Sequence, residues 1–113
     1  MRSPVVPDVV QTLLRAVEAR DLETVHAAFT PDAAIADEGE VVHGPAGVER
    51  WATRAMGYGL AFVVDAVSSA PDETDDDTVV TTTTTGDFAG SPLVFRWYFA
   101  FDEDRISSLR IEI

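Results

Sequence analysis

The sequence predicts a single α+β domain, a cone-shaped barrel in which three N-terminal helices pack against a strongly bent, mostly antiparallel sheet. The first observation is the order of the patterns, because helical periodicity fills the first half of the chain and strand alternation the second. The second is a strand whose large aromatic residues occupy alternate positions and therefore need a cover. The third is the length of 113 residues, which suits one domain with one core.

The first predicted helix spans residues 8–19. Its apolar stripe repeats at helical spacing and consists of Val9, Val10, Leu13, Leu14 and Val17. Asp8 has a side chain suited to the N-cap, and Gln11 three residues later would complete a capping box. The pattern therefore predicts that the helix begins immediately after Asp8.

A second, shorter helix follows, with Asp21 as its predicted N-cap. Its apolar face is formed by Leu22, Val25 and Phe29, and Pro31 is expected to end it because proline lacks the backbone N–H that a helix needs. The short connection between the two helices predicts an antiparallel pair.

A small hairpin is predicted for residues 33–43, with arms at 33–36 and 41–42 and a turn at 37–40. Gly39 allows the positive φ that such a turn requires. Gly44-Pro45 then begins the third helix, with Pro45 at its first position. Its buried stripe consists of Val48, Trp51, Ala52 and Ala55, and it is expected to end at Gly57 and Gly59.

Four strands are predicted for the rest of the chain, at residues 60–69, 79–88, 93–101 and 105–113, forming an antiparallel meander. The first carries Leu60, Phe62 and Val64 on one face. Residues 72–77 are acidic and are expected to form a solvated loop. In the third strand Phe95, Trp97, Phe99 and Phe101 share one face, which the helices must cover. A curved sheet covered on one side leaves a cone that can keep an open mouth.

Composition excludes several classes of function. The net charge is −12, from 20 acidic and 8 basic residues, so nucleic acids and anionic membranes are poor partners. No cysteine is present, which excludes disulfides, thiolate nucleophiles and cysteine-ligated metals. Residues 1–4 lack the features of a signal peptide, and a cytoplasmic protein is expected. The G-x-S-x-G, P-loop and G-x-G-x-x-G motifs are missing from the sequence, so no cofactor is predicted.

Two stretches resemble the SnoaL-like proteins of the nuclear transport factor 2-like superfamily. The first comprises Phe29-Thr30-Pro31-Asp32-Ala33, Asp37-Glu38-Gly39 and Gly44-Pro45-Ala46-Gly47-Val48-Glu49-Arg50-Trp51. The second comprises Thr85-Gly86-Asp87-Phe88-Ala89-Gly90-Ser91-Pro92, then Phe95, Trp97 and Phe99, and finally Asp104-Arg105-Ile106-Ser107-Ser108-Leu109-Arg110-Ile111. The resemblance implies a cone-shaped α+β barrel, often homodimeric, with a pocket between sheet and helices. The superfamily includes polyketide cyclases, ketosteroid isomerases, dehydratases and epoxide hydrolases, and also members that only bind or scaffold.

Asp37 and His43 are the predicted catalytic residues. A carboxylate at a strand end near a pocket mouth can act as a general acid or base if burial raises its pKa. The alternative is a solvated turn aspartate. His43 can act as a second proton group, but a one-residue change of hairpin register would move it to the opposite face, as an exposed strand histidine. A two-residue turn pairs Asp37 with Glu40, and a three-residue loop pairs it with Val41.

Four aromatic residues are predicted to bind substrate: Trp51, Phe62, Trp97 and Tyr98. The alternative for them is ordinary core packing. Tyr98 also shares with Arg96 the face away from the aromatic stripe, where both would belong to a homodimer interface. No metal is expected, because His26 and His43 lack further ligands at a recognised spacing, and His26 is expected to be partly buried.

The predicted function is a small-molecule pocket protein, with acid–base chemistry of the cyclase, isomerase or dehydratase type on an apolar carbonyl compound. Two alternatives stay open: a non-catalytic ligand-binding or interaction module, and a domain whose cone is filled by its own side chains. The distinguishing feature is whether the cone is hollow.

Overall fold

The structure is a computed structural model that describes residues 6–69 and 76–113. Two helices come first in the chain. Helix α1 spans Asp8–Ala19 and buries the predicted apolar stripe apart from Val9, which is half-buried. The predicted capping box is wrong, because Pro7 is the N-cap and its carbonyl accepts from the N–H groups of Val10 and Gln11. The side chain of Gln11 instead donates to the carbonyl of Val6.

Helix α2 spans Leu22–Ala27, and its predicted N-cap is confirmed. The Asp21 carboxylate accepts a hydrogen bond from the backbone N–H of Thr24 at 3.2 Å. The predicted end is wrong, because the helix stops before Phe29 and Pro31, which both lie in the first strand. Phe29 is nevertheless buried, as the first residue of that strand.

Strands β1, Phe29–Asp37, and β2, Glu40–His43, form the predicted hairpin. Asp37 lies opposite Glu40, so the connection is the two-residue turn. Its residues Glu38 and Gly39 have φ values of 53° and 79°, the left-handed pair that a tight hairpin turn requires.

Helix α3 spans Gly44–Gly57 and packs against β1. It begins one residue earlier than expected, with His43 as its extended N-cap, so Pro45 is the second helical residue. Proline is tolerated there because the first-turn N–H groups have no partner within the helix. The predicted buried stripe is confirmed.

The antiparallel meander is confirmed as β3, Ala61–Ser69; β4, Thr78–Thr85; β5, Leu93–Asp102; and β6, Arg105–Glu112. The six strands have the order β2-β1-β6-β5-β4-β3, and only β1 and β6 pair in parallel. The fold class is therefore as predicted, although the sheet is curled and open, with β2 and β3 at its edges, rather than closed as a barrel. Strand β4 ends three residues earlier than expected, which leaves residues 86–92 as a loop.

Phe62 and Val64 share one face of β3 as predicted, because they pair in unbroken register with Thr84 and Thr82. Phe62 packs against the core, but Val64 is 36% exposed. A β-bulge between Val64 and Ala66 leaves Asp65 without a partner in the register and reverses the alternation. Val67 therefore packs against the core in its place.

The aromatic face of β5 is covered as predicted, with Trp97 and Phe99 fully buried. The indole N–H of Trp97 donates to the hydroxyl of Thr82 at 2.9 Å, and this hydroxyl lies 2.9 Å from that of Thr84. Both threonine side chains are fully buried. The core therefore contains a short polar chain whose hydrogen bonds offset the cost of burying it.

We expect Thr82→Val to reduce the free energy of unfolding by about 1–3 kcal/mol, because it leaves a buried indole N–H without its acceptor. Thr81→Val is the matched control, since Thr81 is half-buried on the opposite face of the same strand. Its effect should stay within about 0.5 kcal/mol. Urea unfolding curves measure both, and equal stability of the two variants would contradict the role given to the Thr82 hydroxyl.

Two sequence predictions concern parts of the chain that the structure describes only partly. Of the acidic loop predicted at 72–77, only Asp76 and Asp77 are described, and both are engaged rather than simply solvated. Asp76 forms an ion pair with Arg110, and Asp77 accepts from the N–H of Phe101. The prediction for residues 1–4 lies outside the described residues. Within the described ranges, no helix has the length and apolar character needed to cross a bilayer.

Candidate functional site

A cavity of about 500 Å³ opens between α3, the end of β1, the loop after β4 and the inner face of β5. The cone is therefore open at this end rather than completely filled by its own side chains. Polar groups in the wall are contributed by Asp37, Glu38, Arg54, Tyr58 and Asp87. The rest of the wall is apolar and contains four aromatic residues, Trp51, Phe88, Phe95 and Trp97.

Five aromatic rings form a continuous arc along the cavity wall. Trp51 meets Trp97 edge to face at 6.3 Å between ring centroids, and Trp97 lies 6.4 Å from Phe95. Phe88 follows at 6.1 Å, and Tyr58 closes the arc edge to face at 6.1 Å from Phe88. Edge-to-face contacts of this kind stabilise the rings against one another, so the wall is held in place before any ligand binds.

Asp37 lies at one end of this arc. As the last residue of β1 it is half-buried, and its Oδ2 accepts a hydrogen bond from the indole Nε1 of Trp51 at 3.2 Å. Burial raises the pKa of Asp37 above its ordinary value, against the lowering effect of the Trp51 hydrogen bond. The neighbouring charge of Glu38 raises this pKa further, and that of Arg54 lowers it. Asp37 is thus a pocket carboxyl that holds its proton more tightly than a solvated aspartate does.

Arg54 approaches the cavity from α3, but its charge is largely satisfied elsewhere. Its Nη2 lies 3.1 Å from Oε2 of Glu40, and Arg50 pairs with the other oxygen of the same carboxylate at 3.1 Å. Glu40 therefore lies between two guanidinium groups. The charge of Arg54 has a smaller effect on the pKa of Asp37 than burial does, so burial is the dominant effect on this pKa.

Asp37, Trp51 and Trp97 are the predicted site residues that the structure brings together around the cavity. His43 is not among them. It pairs with Ala34, so its side chain points to the face opposite Ile35 and Asp37, and it is exposed. The prediction of His43 as a proton group beside Asp37 is therefore wrong, because the two-residue turn sets the unfavourable register.

Phe62 and Tyr98 do not line the cavity either. Phe62 packs edge to face on Trp97 with centroids 5.4 Å apart, on the side of the ring toward β3. Tyr98 lies on the outer face of the sheet, with the guanidinium of Arg110 4.2 Å above its ring. Their predicted pocket role is corrected, because strand alternation directs Tyr98 outward and Trp97 separates Phe62 from the cavity.

Sequence reasoning missed the opposite end of the arc, formed by Tyr58, Asp87 and Phe88. Tyr58 follows α3 and the other two residues follow β4, so they are distant in sequence. The N–H of Asp87 donates to the carbonyl of Tyr58 at 2.7 Å and joins the two segments. The sequence feature that could have indicated this end of the cavity is the Gly86-Asp87-Phe88 motif, but residues 79–88 were predicted as a strand that included it.

The remaining titratable candidate, His26, is half-buried as expected, with its Nε2 3.4 Å from Oε1 of Glu49. Among the residues that the structure describes, no group of three or more histidine, cysteine, aspartate or glutamate side chains is arranged to hold a metal ion. The chemistry available at the cavity is that of carboxyl groups, one phenol, the guanidinium of Arg54 and aromatic surfaces.

The raised pKa of Asp37 predicts a pH dependence of stability. The native state holds this proton more tightly than the unfolded chain does, because aspartate in an unfolded chain titrates at about pH 4. Stability contributed by this group is present below that pH and is lost as pH rises through the native pKa. Asp37→Asn should therefore gain stability relative to wild type as pH rises from about 4.5 to 7.5, in urea unfolding. A stability difference that is constant with pH would contradict this.

Known proteins resemble this chain in sequence and in fold. Residues 10–109 match the model of the SnoaL-like domain family. Among curated proteins, none matches the sequence.

Solved structures match over nearly the whole chain. A candidate polyketide cyclase from Sinorhizobium meliloti is 26% identical, with a TM-score of 0.83 and 95% of each chain covered. A ketosteroid isomerase-like fold from Catenulispora acidiphila, solved with trimethylamine, is 14% identical, with a TM-score of 0.78 over 96% of this chain and 87% of that one. SalBIII, an epoxide hydrolase/cyclase-like enzyme of pyran ring formation in salinomycin, is 18% identical, with a TM-score of 0.71 over 92% and 86%. These likenesses place the fold among cyclase-like and isomerase-like structures.

Proposed function

The chain belongs to the SnoaL-like domain family, and on that premise we propose that its cone binds an apolar carbonyl compound and that Asp37 transfers a proton next to the carbonyl group. The observation that carries this proposal is the half-buried Asp37 carboxyl at the inner end of an aromatic cavity, held by the Trp51 indole. The reaction class is that of a cyclase, isomerase or dehydratase.

The size and surface of the cavity support a small-molecule ligand. Its volume of about 500 Å³ lies within the range of small-molecule sites, which are mostly apolar with a few convergent polar groups. The partly exposed rings of Tyr58, Phe88 and Phe95 suit a flat, ring-sized body, with Trp51 and Trp97 packed behind them. A ligand on these rings would place its polar atoms toward Asp37.

The environment of Asp37 supports proton transfer. Burial raises the pKa of Asp37, and a carboxyl group that holds its proton more tightly is a stronger general base than a solvated aspartate. The Trp51 hydrogen bond engages Oδ2 and fixes the orientation of the carboxyl group in the cavity wall. Two of the similar structures are described as cyclase-type proteins, which fits the same chemistry.

A second candidate function is a binding module without catalysis, and the position of His43 favours it. The expected second proton group lies on the outer face, so the polar groups near Asp37 in the cavity wall are carboxylates, the phenol of Tyr58 and the already paired Arg54. The similar Catenulispora acidiphila structure was solved in complex with trimethylamine, which is compatible with simple binding of a small molecule.

The proposal is tested with 2-tetralone, a neutral bicyclic ketone. Both tryptophans of the chain line the cavity, so binding should quench the intrinsic fluorescence. Exchange of the protons next to the ketone in D₂O, followed by proton NMR, should exceed the rate given by an equal concentration of acetate. Binding without accelerated exchange would favour the binding module, and a ketone that neither binds nor exchanges would contradict the proposed site.

We also propose that two copies of the chain pair through the outer face of the sheet. This face is of mixed polarity, with Val94 51% exposed beside Arg96 and the stacked pair of Tyr98 and Arg110. Arginine and tyrosine are enriched in protein interfaces, and the exposed valine beside them adds apolar area to this face. The high negative charge of each copy should make the pairing stronger at higher salt.

Light scattering at micromolar protein should therefore give a mass near twice 12.2 kDa. We expect Val94→Asp to reduce it to one copy, because a carboxylate would be buried without a partner in the interface. Ala46→Asp, at an exposed position on α3, is the matched control and should not change the mass. A single-copy mass for the wild type at both low and high salt would contradict the pairing.

A further inference from the structure

We propose that the ligand of the cone carries a cationic nitrogen, as a protonated or quaternary amine attached to its apolar body. This proposal rests on the proposed function in that the same cavity is the binding site, and it adds a charge requirement to the ligand. Three features of the cavity support it: the sign of its charges, the engagement of its one arginine and the placement of its aromatic rings.

The charged groups in the cavity wall are mostly acidic. Asp37, Glu38 and Asp87 contribute carboxyl groups, and Arg54 contributes the one guanidinium among the described residues of the wall. The whole chain adds to this bias with a net charge of −12. A concave, low-dielectric surface with charges of one sign focuses the potential, so this cavity attracts cations and repels anions.

Arg54 is poorly placed to receive an anionic ligand, because Glu40 already binds its Nη2 at 3.1 Å. Glu38 and Asp87, by contrast, form no ion pair with any other described residue. Their negative charges are therefore available at the mouth of the cone, and a ligand cation would be their counter-ion.

The aromatic arc supplies the second attraction. Tyr58 and Phe88 stand beside Asp87, whereas Trp51 stands beside Asp37, so each end of the arc combines aromatic surface with a carboxyl group. The negative face of an aromatic ring attracts an ammonium group, most strongly where water is excluded. Aromatic surface combined with carboxylates therefore selects a cationic, ring-sized ligand over a neutral one of the same shape.

Three compounds with one bicyclic body test the proposal: 2-aminotetralin, which is cationic at pH 7, 2-hydroxytetralin, which is neutral, and tetralin-2-carboxylate, which is anionic. Their dissociation constants follow from quenching of the two cavity tryptophans at low salt. We expect the amine to bind at least about tenfold more tightly than the alcohol, and the carboxylate to bind most weakly. Added salt should reduce the preference for the amine.

The double variant Glu38→Gln, Asp87→Asn should lose at least about fivefold in affinity for the amine and keep its affinity for the alcohol. The control is Glu103→Gln, Asp104→Asn, which removes the same charge from an exposed turn and should change neither value. Equal binding of amine and alcohol to the wild type, or an unchanged preference in the first variant, would overturn the charge requirement and leave the proposed function standing. If none of the three compounds binds, both fail.

Discussion

Asp37→Asn is expected to reduce the rate of proton exchange from a bound ketone by about 10²–10⁴-fold while leaving its affinity nearly unchanged. The amide has the shape of the carboxyl group and its oxygen still accepts from the Trp51 indole, so the cavity keeps its form. Only the titrating proton is removed. The exchange rate of 2-tetralone in D₂O and its fluorescence titration measure the two quantities on the same samples.

Two further variants separate chemistry from charge and from packing. Asp104→Asn removes one exposed carboxylate from the β5–β6 turn and should exchange like wild type. Trp51→Phe keeps a ring but removes the hydrogen bond that lowers the pKa of Asp37, so this pKa should rise and the pH profile of exchange should shift upward. A rate for Asp37→Asn equal to that of wild type would remove Asp37 from the mechanism.

Residue spacing was sufficient to predict the apolar faces of two elements of the fold. The aromatic alternation of β5 and the buried stripe of α3 were predicted correctly, because residue spacing alone decides which face of an element is apolar. Trp51 and Trp97 lie on these two faces, which explains why both were correctly placed near the cavity.

Register and distant contacts explain what could not be predicted. The position of His43 depends on a single residue of turn length, which residue spacing does not determine. The contact between Asp87 and Tyr58 joins two segments that no local pattern relates, so this end of the cavity was missed. The bulge in β3 likewise reversed an alternation that the sequence carried without interruption up to Val64.

Trp97 is the residue on which cavity and core both depend. Its ring is 1% exposed and lies among Trp51, Phe62, Phe95 and Phe99, at centroid distances of 5.4–6.4 Å. Its indole N–H also donates to the buried hydroxyl of Thr82. The same side chain therefore fills the centre of the sheet and forms part of the cavity wall.

Trp97→Ala should reduce the free energy of unfolding by about 3–5 kcal/mol, because it removes a large buried ring and leaves a void that its neighbours fill only in part. A loss of this size is a large share of the free energy of unfolding of a single domain, which is typically about 5–15 kcal/mol. Urea unfolding followed by far-UV circular dichroism measures it.

Trp97→Phe keeps an aromatic ring but loses the hydrogen bond to Thr82. Its stability should therefore lie between that of the wild type and that of Trp97→Ala, and it can be measured even if the alanine variant does not fold. Val94→Ala, at an exposed position of the same strand, should change stability by less than about 0.5 kcal/mol. If the two Trp97 variants are no less stable than Val94→Ala, Trp97 does not support the core in the way its burial implies.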